Sequence, residues 1–157
     1  MMMDKELMFT QNATSYDNTQ TLAGTTVYSY NQVDLGARAS TSTGRGMRAV
    51  VQIITNGTSA QTSAALTVAV VGSLTGGSDF TTETVLATTA AMGYATTSDN
   101  SFVHIAIPAT MPGYRYLRLK FTTANADNAY KLKAGLVMDE QTSGLTGGYP
   151  ASTAVTT

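Results

Sequence analysis

The sequence predicts an all-β protein: an antiparallel β-sandwich, a jelly roll of about eight strands, followed by a low-complexity C-terminal tail. Three observations lead to this prediction. β-Branched residues dominate the apolar stretches, apolar and polar residues alternate with a period of two, and Gly, Asn and Pro interrupt the pattern roughly every 10–20 residues. Helical spacing of apolar residues is weak throughout, and no alternation of strands with helices indicates a parallel sheet.

Eight segments share this pattern and are predicted to be strands. They are residues 5–10, 27–35, 47–55, 65–74, 84–92, 102–107, 114–123 and 131–139. Turn-forming residues follow the earlier segments, since Gly and Asn adopt the backbone conformations of tight turns at little cost. Gly36 ends the second segment, Asn56-Gly57 follows the third, and Gly76 follows the fourth.

The later segments differ in how clearly they predict a strand. Residues 84–92 contain enough alanine to allow a helix, but their threonines and the following Gly93 favour a strand. Residues 102–107 (FVHIAI) end at Pro108, which cannot donate a hydrogen bond to a neighbouring strand. In residues 131–139 (KLKAGLVMD) apolar and polar positions alternate, and we expect the apolar ones, Met138 included, to point inward.

Alternation is clearest in residues 114–123 (YRYLRLKFTT). One face carries Leu117, Leu119 and Phe121, and the other carries Tyr116, Arg118 and Lys120. Aromatic rings interleaved with cations could stack on nucleic-acid bases. A solvated strand face or a protein interface is favoured instead, because the chain as a whole is mildly acidic and because Arg and Tyr are enriched at interface hot spots.

We expect a single jelly-roll domain over residues 1–140, since 157 residues fit one hydrophobic core. Residues 39–46 (ASTSTGRG) are predicted to be a polar loop. Residues 141–157 have few large apolar groups, so this tail is expected to be flexible or to be ordered by a neighbouring subunit. The N-terminus carries acidic residues and no long apolar run, so neither a signal peptide nor a membrane span is expected.

Charge and composition argue against several classes of function. Nine basic and ten acidic side chains give a net charge of −1, and only 12% of residues are charged. A basic surplus for binding nucleic acid or an anionic membrane is therefore missing. The chain has no cysteine, which excludes disulfides, thiolate metal sites and thiol nucleophiles. Weak charge repulsion suits a subunit that lies beside copies of itself.

No constellation of catalytic residues stands out. His104 is the only histidine; it shares a strand face with Phe102 and Ala106, and we expect it at the surface or the edge of the core. The acidic residues are scattered, and no two are marked out as a catalytic pair. A calcium site at Asp79 or Asp99 is the remaining metal alternative, but the Asp-x-Asp-x-Asp-Gly loop is absent. We therefore expect no enzyme activity, metal or cofactor.

In their order and spacing, several short segments resemble the small capsid cement (decoration) proteins of tailed bacteriophages, of the jelly-roll type. These segments are residues 4–7 (DKEL), 33–36 (VDLG), 50–53 (VVQI), 84–87 (TVLA), 105–108 (IAIP), 116–119 (YLRL) and 134–139 (AGLVMD). The resemblance extends from about residue 3 to residue 141. The family pattern typically ends there, so the tail of residues 141–157 is a departure from it.

The resemblance implies a non-catalytic virion protein that binds the exterior of an assembled capsid after synthesis in the bacterial cytoplasm. Its implied partners are the major capsid protein and further copies of itself, with a dimer favoured and a trimer possible. Two alternatives stay open. One is a carbohydrate-binding jelly roll, for which Tyr28, Tyr30 and Tyr94 are the candidate residues, and the other is a subunit of a different viral shell or tail structure.

Two parts of the chain are the candidate contacts with the shell or with a neighbouring subunit. They are Met1, Met2, Met3, Asp4 and Lys5 at the N-terminus, and Tyr116, Arg118 and Lys120 on the outward face of a strand. Methionine adapts to irregular apolar surfaces, and an outward row of Tyr and Arg is typical of a hot spot. Charge reversal at Arg118 is expected to weaken capsid binding if that strand faces the shell.

Overall fold

The computed structural model describes residues 7–11, 18–36, 47–57, 65–76, 80, 82–93, 97–108, 114–124 and 130–138. These residues form ten strands and no helix: β1 (Gln20–Thr21), β2 (Thr26–Tyr28), β3 (Val33–Asp34), β4 (Met47–Thr55), β5 (Ala65–Ser73), β6 (Thr84–Thr88), β7 (Met92–Gly93), β8 (Phe102–Ile107), β9 (Tyr116–Thr123) and β10 (Lys131–Met138). In this part of the chain no helix could cross a membrane. The candidate contacts in residues 1–5, the loop 39–46 and the tail 141–157 lie outside the described residues.

The strands form two antiparallel sheets that pack face to face. The first sheet has the order β1-β10-β4-β8, and the second has the order β2-β9-β5-β6, with β3 also on β9 and β7 also on β5. The pairs are nested along the chain: β1 with β10, β2 and β3 with β9, β4 with β8, and β5 with β6 and β7. Since β2 with β3, and β6 with β7, each fill one strand position, the sandwich has the eight positions of a jelly roll.

The core lies between the sheets and consists of alternate residues of the long strands. These residues include Leu66, Val68 and Val70 of β5, Leu117, Leu119 and Phe121 of β9, and Leu132, Ala134 and Leu136 of β10. Leu132, Ala134 and Leu136 had been predicted to point inward, and Leu117, Leu119 and Phe121 to share one face of their strand; the structure confirms both predictions. The side chain of Met138, predicted inward as well, lies outside the described part. Burying one such leucine contributes about 2 kcal/mol through the hydrophobic effect.

Two predicted strands are each divided in two, so the predictions for residues 27–35 and 84–92 were wrong in their continuity. After β2, Ser29 Oγ accepts the N–H of Leu119 at 3.1 Å. After β6, Thr89 Oγ1 likewise accepts the N–H of Val68 at 3.1 Å. In each case a hydroxyl replaces the backbone carbonyl that would continue the ladder, so the regular strand ends there.

The N-terminal prediction of a strand over residues 5–10 was also wrong where the structure describes it. Met8 forms only an isolated bridge with Gly135. Thr10 Oγ1 then accepts the N–H of Ala134 at 2.9 Å, so a hydroxyl again ends the pairing. The position at the edge of the first sheet is taken instead by β1, a two-residue strand that the sequence pattern did not reveal.

Gln20 of β1 joins the two sheets where their edges meet. Its side chain is almost completely buried. Its Nε2 donates to the carbonyl oxygen of Tyr28 at 2.7 Å, and its Oε1 accepts the N–H of Tyr30 at 3.1 Å. Because a buried amide is stable only when its polar atoms are hydrogen-bonded, these two bonds fix β1 beside β2.

Candidate functional site

The three outward residues of β9 lie on the outer face of the second sheet, as the alternation predicted. Their neighbours on β5 are Ser73, Val71 and Ala69. Val71 and Ala69 are buried even though they point away from the main core, because Phe80 from the connection between β5 and β6 packs against them. The outer face of this sheet is therefore partly covered by the protein itself.

Arg118 lies at the centre of this covered area. Its guanidinium carbon is 5.4 Å from the ring centre of Tyr28 and 5.3 Å from that of Phe80, so the cation contacts two aromatic rings. Its Nη2 donates to the carbonyl oxygen of Ser29 at 2.8 Å. That carbonyl is available because the Ser29 hydroxyl has taken its place in the ladder. Burial lowers the pKa of Arg118 from its usual value, but an arginine stays charged at any ordinary pH.

Lys120 forms an ion pair with Glu83, which also belongs to the connection between β5 and β6. Both side chains are mostly buried, with exposed fractions of 28% and 19%. Burial alone would raise the pKa of Glu83, but Lys120, the Tyr28 hydroxyl and the charge of Arg118 hold that pKa below its usual value. Conversely, Glu83 raises the pKa of Lys120, and burial and Glu83 together raise the pKa of Tyr28. We call Tyr28, Phe80, Glu83, Arg118 and Lys120 the Arg118 cluster.

Tyr116 lies at the other end of the same strand face and is half-buried. The guanidinium of Arg115 is 4.9 Å from the centre of its ring. Arg115 also makes two hydrogen bonds to Asp34, at 2.9 and 2.8 Å, and both side chains are exposed. Gly76 approaches the Tyr116 ring so closely that an added Cβ would lie 2.9 Å from a ring carbon.

The structure thus brings Tyr116, Arg118 and Lys120 onto one face, but it also gives each of them partners within the chain. The five N-terminal candidates cannot be placed relative to them, since residues 1–5 lie outside the described ranges. Sequence reasoning missed Phe80 and Glu83. One signal pointed to them: β5 (ALTVAVVGS) is apolar on both faces, which requires a cover on its outer side.

The outer face of the first sheet is different in character and was not singled out from the sequence. The register places these residues on it: Arg48, Val50 and Gln52 of β4, Phe102, His104 and Ala106 of β8, and Lys133, Gly135 and Val137 of β10. Phe102 is 57% exposed, and His104 is also exposed, as expected for a surface histidine. Among its described residues this face has cations and apolar groups but no carboxylate.

Within the described residues, neither face gathers the ligands that a metal site would need. No group of three potential metal ligands occurs there. Asp99 accepts the N–H of Asn56 in a turn, and Asp79 lies outside the described part. Of the three tyrosines considered for carbohydrate binding, Tyr28 lies in the Arg118 cluster, Tyr30 is 51% exposed, and Tyr94 lies outside the described ranges.

A Glu83→Gln variant is expected to lose about 1 kcal/mol of stability at pH 7, because its amide cannot pair with Lys120. The folded-state pKa of Glu83 is lowered, so its contribution is complete above the unfolded-state value of about 4.3 and is lost as the pH falls through the folded-state value. Urea unfolding from pH 7 to pH 3 should therefore show the two proteins converging in acid. Stability curves that stay parallel over this range would mean that the ion pair contributes nothing.

Lys120→Met provides the matched background for that measurement. Once the lysine is removed, Glu83 has lost its ion-pair partner, and Gln at this position is expected to be neutral or stabilising. The difference between the two backgrounds is the coupling energy of the pair, which should be about 1 kcal/mol at pH 7 and near zero at pH 3.

No protein-family model matches this chain, and the search of curated proteins finds no match. The fold and the geometry of the two outer faces, together with the resemblance drawn from the sequence, are the basis on which a function can be proposed.

Proposed function

We propose that this protein is a structural, non-catalytic virion protein that binds the outer surface of an assembled phage capsid and joins neighbouring major capsid subunits. The observation that carries the proposal is the nested jelly-roll topology, which is the fold that the resemblance to capsid cement proteins implies. The same fold serves many functions, so it supports the proposal only in combination with that resemblance.

The surface adds a second line of support. Leu74, Val85 and Phe102 are large apolar side chains with exposed fractions of 64%, 52% and 57%. The whole chain has a net charge of only −1, so like copies repel each other weakly. A surface of this kind is compatible with a dense array on a shell, where many weak contacts add up to strong overall attachment.

The test uses capsids assembled from the major capsid protein of the same genome, without this protein. We expect saturable binding at a fixed number of copies per shell and a rise of several degrees in the melting temperature of the shell, since binding to the assembled state stabilises it. If the protein does not cosediment with such shells and their melting is unchanged, the proposal fails.

The alternatives predict other outcomes of parallel measurements. A carbohydrate-binding module would bind members of a host-glycan panel, with the exposed Tyr30 as a first residue to substitute. A subunit of another shell or tail structure would occur in virions at a copy number that does not follow the lattice of the capsid.

A further inference from the structure

The four sheet edges of the sandwich are not equally protected against pairing with another strand. β1 is only two residues long, β2 and β3 are separated by Ser29 to Gln32, and β6 is separated from β7 and shifts register against β5, with Leu86 as the extra residue. Short and irregular edges of this kind resist edge-to-edge association. β8 differs from all three: it has six continuous residues in regular register with β4, and among the described residues no strand pairs with its other side.

The composition of β8 adds to this exposure. The strand FVHIAI contains no Lys, Glu, Asp or Pro, and Pro108 comes only after its last residue. Charged residues, prolines and bulges are the usual devices that keep an edge strand monomeric. Within the described residues, β8 is therefore the longest edge of the sandwich and has no paired strand on its outer side, although β6 of the second sheet lies near it.

The hydrogen-bond pattern shows which backbone groups that edge presents. Ile53 N–H donates to Ser101 O at 2.9 Å, in the same register that continues through β4 and β8. Because bonded pairs alternate along an antiparallel ladder, the backbone groups of Val103, Ile105 and Ile107 point toward β4. Those of Phe102, His104 and Ala106 point toward the open edge.

We propose that two copies of this chain pair through β8, antiparallel and centred on His104. The three edge-facing residues are symmetric about His104, so a two-fold axis there places Phe102 opposite the partner's Ala106 and His104 opposite the partner's His104. Each opposed pair exchanges two N–H···O bonds, which gives about six bonds between the subunits. The two first sheets then form one continuous eight-stranded sheet.

A second copy fits this edge for two physical reasons. A two-fold arrangement is self-complementary, so every edge-facing donor of one copy meets an acceptor of the other and the assembly closes at two. β8 carries no Lys, Arg, Asp or Glu, so no fixed charges face each other at the axis. This inference assigns an interface to the homo-oligomer that the resemblance implies, and the pairing does not require a capsid.

The test is the solution mass of the full chain by sedimentation equilibrium at tens of micromolar. The monomer has a mass of 16.4 kDa, and we expect twice that value for the wild type at pH 8. His104→Lys places two lysines at the axis and should raise the dissociation constant at least about tenfold. Thr122→Lys is the matched control, because Thr122 is an exposed strand residue of the second sheet, away from β8. This variant should stay dimeric.

A cysteine variant provides a readout that does not depend on losing the dimer. The chain has no cysteine of its own. In a bonded antiparallel pair the Cα atoms are about 5.5 Å apart, within the range that a disulfide spans. His104→Cys should therefore form a covalent dimer on mild oxidation with diamide, whereas Thr122→Cys should remain monomeric on a non-reducing gel.

Several results would overturn the inference. A wild type that is monomeric at 100 μM would refute the dimer. A trimeric mass would place the contact between copies elsewhere, and so would a His104→Lys variant that dimerises like the wild type. A monomer that loses capsid binding on His104→Lys substitution would assign the edge to the shell instead of to a second copy. A confirmed dimer that does not bind capsids would leave this inference intact and refute only the proposed function.

Discussion

A Leu119→Ala variant is expected to lose about 3–4 kcal/mol of unfolding free energy. Leu119 is fully buried at the centre of β9, between Ser29 at the end of β2 and Val70 of β5. Truncation removes the transfer free energy of the side chain and leaves a cavity that the two sheets cannot fill by closing, because Phe121 and Leu117 hold the strand in place on both sides.

Leu74→Ala is the matched control for this substitution. It removes the same atoms from a side chain that is 64% exposed, so we expect a change within about 0.5 kcal/mol. Urea and thermal unfolding of both variants would measure the contrast, which should amount to about 10 °C in melting temperature. Similar losses for both variants would show that the interior between the sheets does not dominate the stability.

Much of the sandwich could be predicted from the sequence because alternation is a strong signal where a strand is long and one face is buried. The segments 47–55, 102–107 and 131–139 agree with β4, β8 and β10 to within one residue. In residues 131–139 the predicted inward positions follow from the period of two alone. Prediction succeeded here because pairing with neighbouring strands of the same sheet is enough to set where these strands begin and end.

The three errors in strand extent, in residues 5–10, 27–35 and 84–92, share one physical cause that alternation cannot reveal. Ser29, Thr89 and Thr10 each use a side-chain hydroxyl to accept a ladder N–H from a distant strand. Each of these bonds ends a strand that the local pattern would continue. A Ser or Thr is compatible with a strand by propensity, and only the tertiary contact decides whether its hydroxyl enters the ladder. In a chain so rich in Thr and Ser, strand ends are correspondingly hard to predict.

The sequence predicted that the candidate residues point away from the core, but it did not predict which residues surround them. Alternation in residues 114–123 correctly separated Tyr116, Arg118 and Lys120 from the core. The residues that cover them, Phe80 and Glu83, lie more than thirty positions earlier in the chain, and no local pattern connects the two segments. The ion pair between Glu83 and Lys120 and the aromatic stacking on Arg118 therefore depend on the fold, because the nested topology brings these two segments together.

An Arg118→Ala variant is expected to lose about 2 kcal/mol of stability, although Arg118 lies outside the main core. The substitution removes two cation–aromatic contacts and leaves the carbonyl oxygen of Ser29 without the guanidinium donor. Part of the stabilisation that Arg118 provides is already offset in the wild type, because its buried Nε has no hydrogen-bond partner. The expected loss is accordingly smaller than for the core leucine.

Arg115→Ala separates this effect from the loss of an ordinary surface cation. Arg115 makes a bidentate pair with Asp34, but its side chain is 48% exposed, so the expected loss of stability is much smaller than for Arg118→Ala. Chemical unfolding of both variants gives the comparison, and equal losses would contradict the buried role of Arg118.

The same contrast decides how the capsid contact should be sought. If Arg118 holds the connection between β5 and β6 against the sheet, charge reversal there disturbs Phe80 and Glu83 together with any contact to a shell. A loss of capsid binding by that variant would then report folding as well as recognition. Arg115→Glu alters the charge of the same face with little cost in stability, so reduced occupancy in that variant would place the shell on the β9 face, and full occupancy would direct the search to the first sheet.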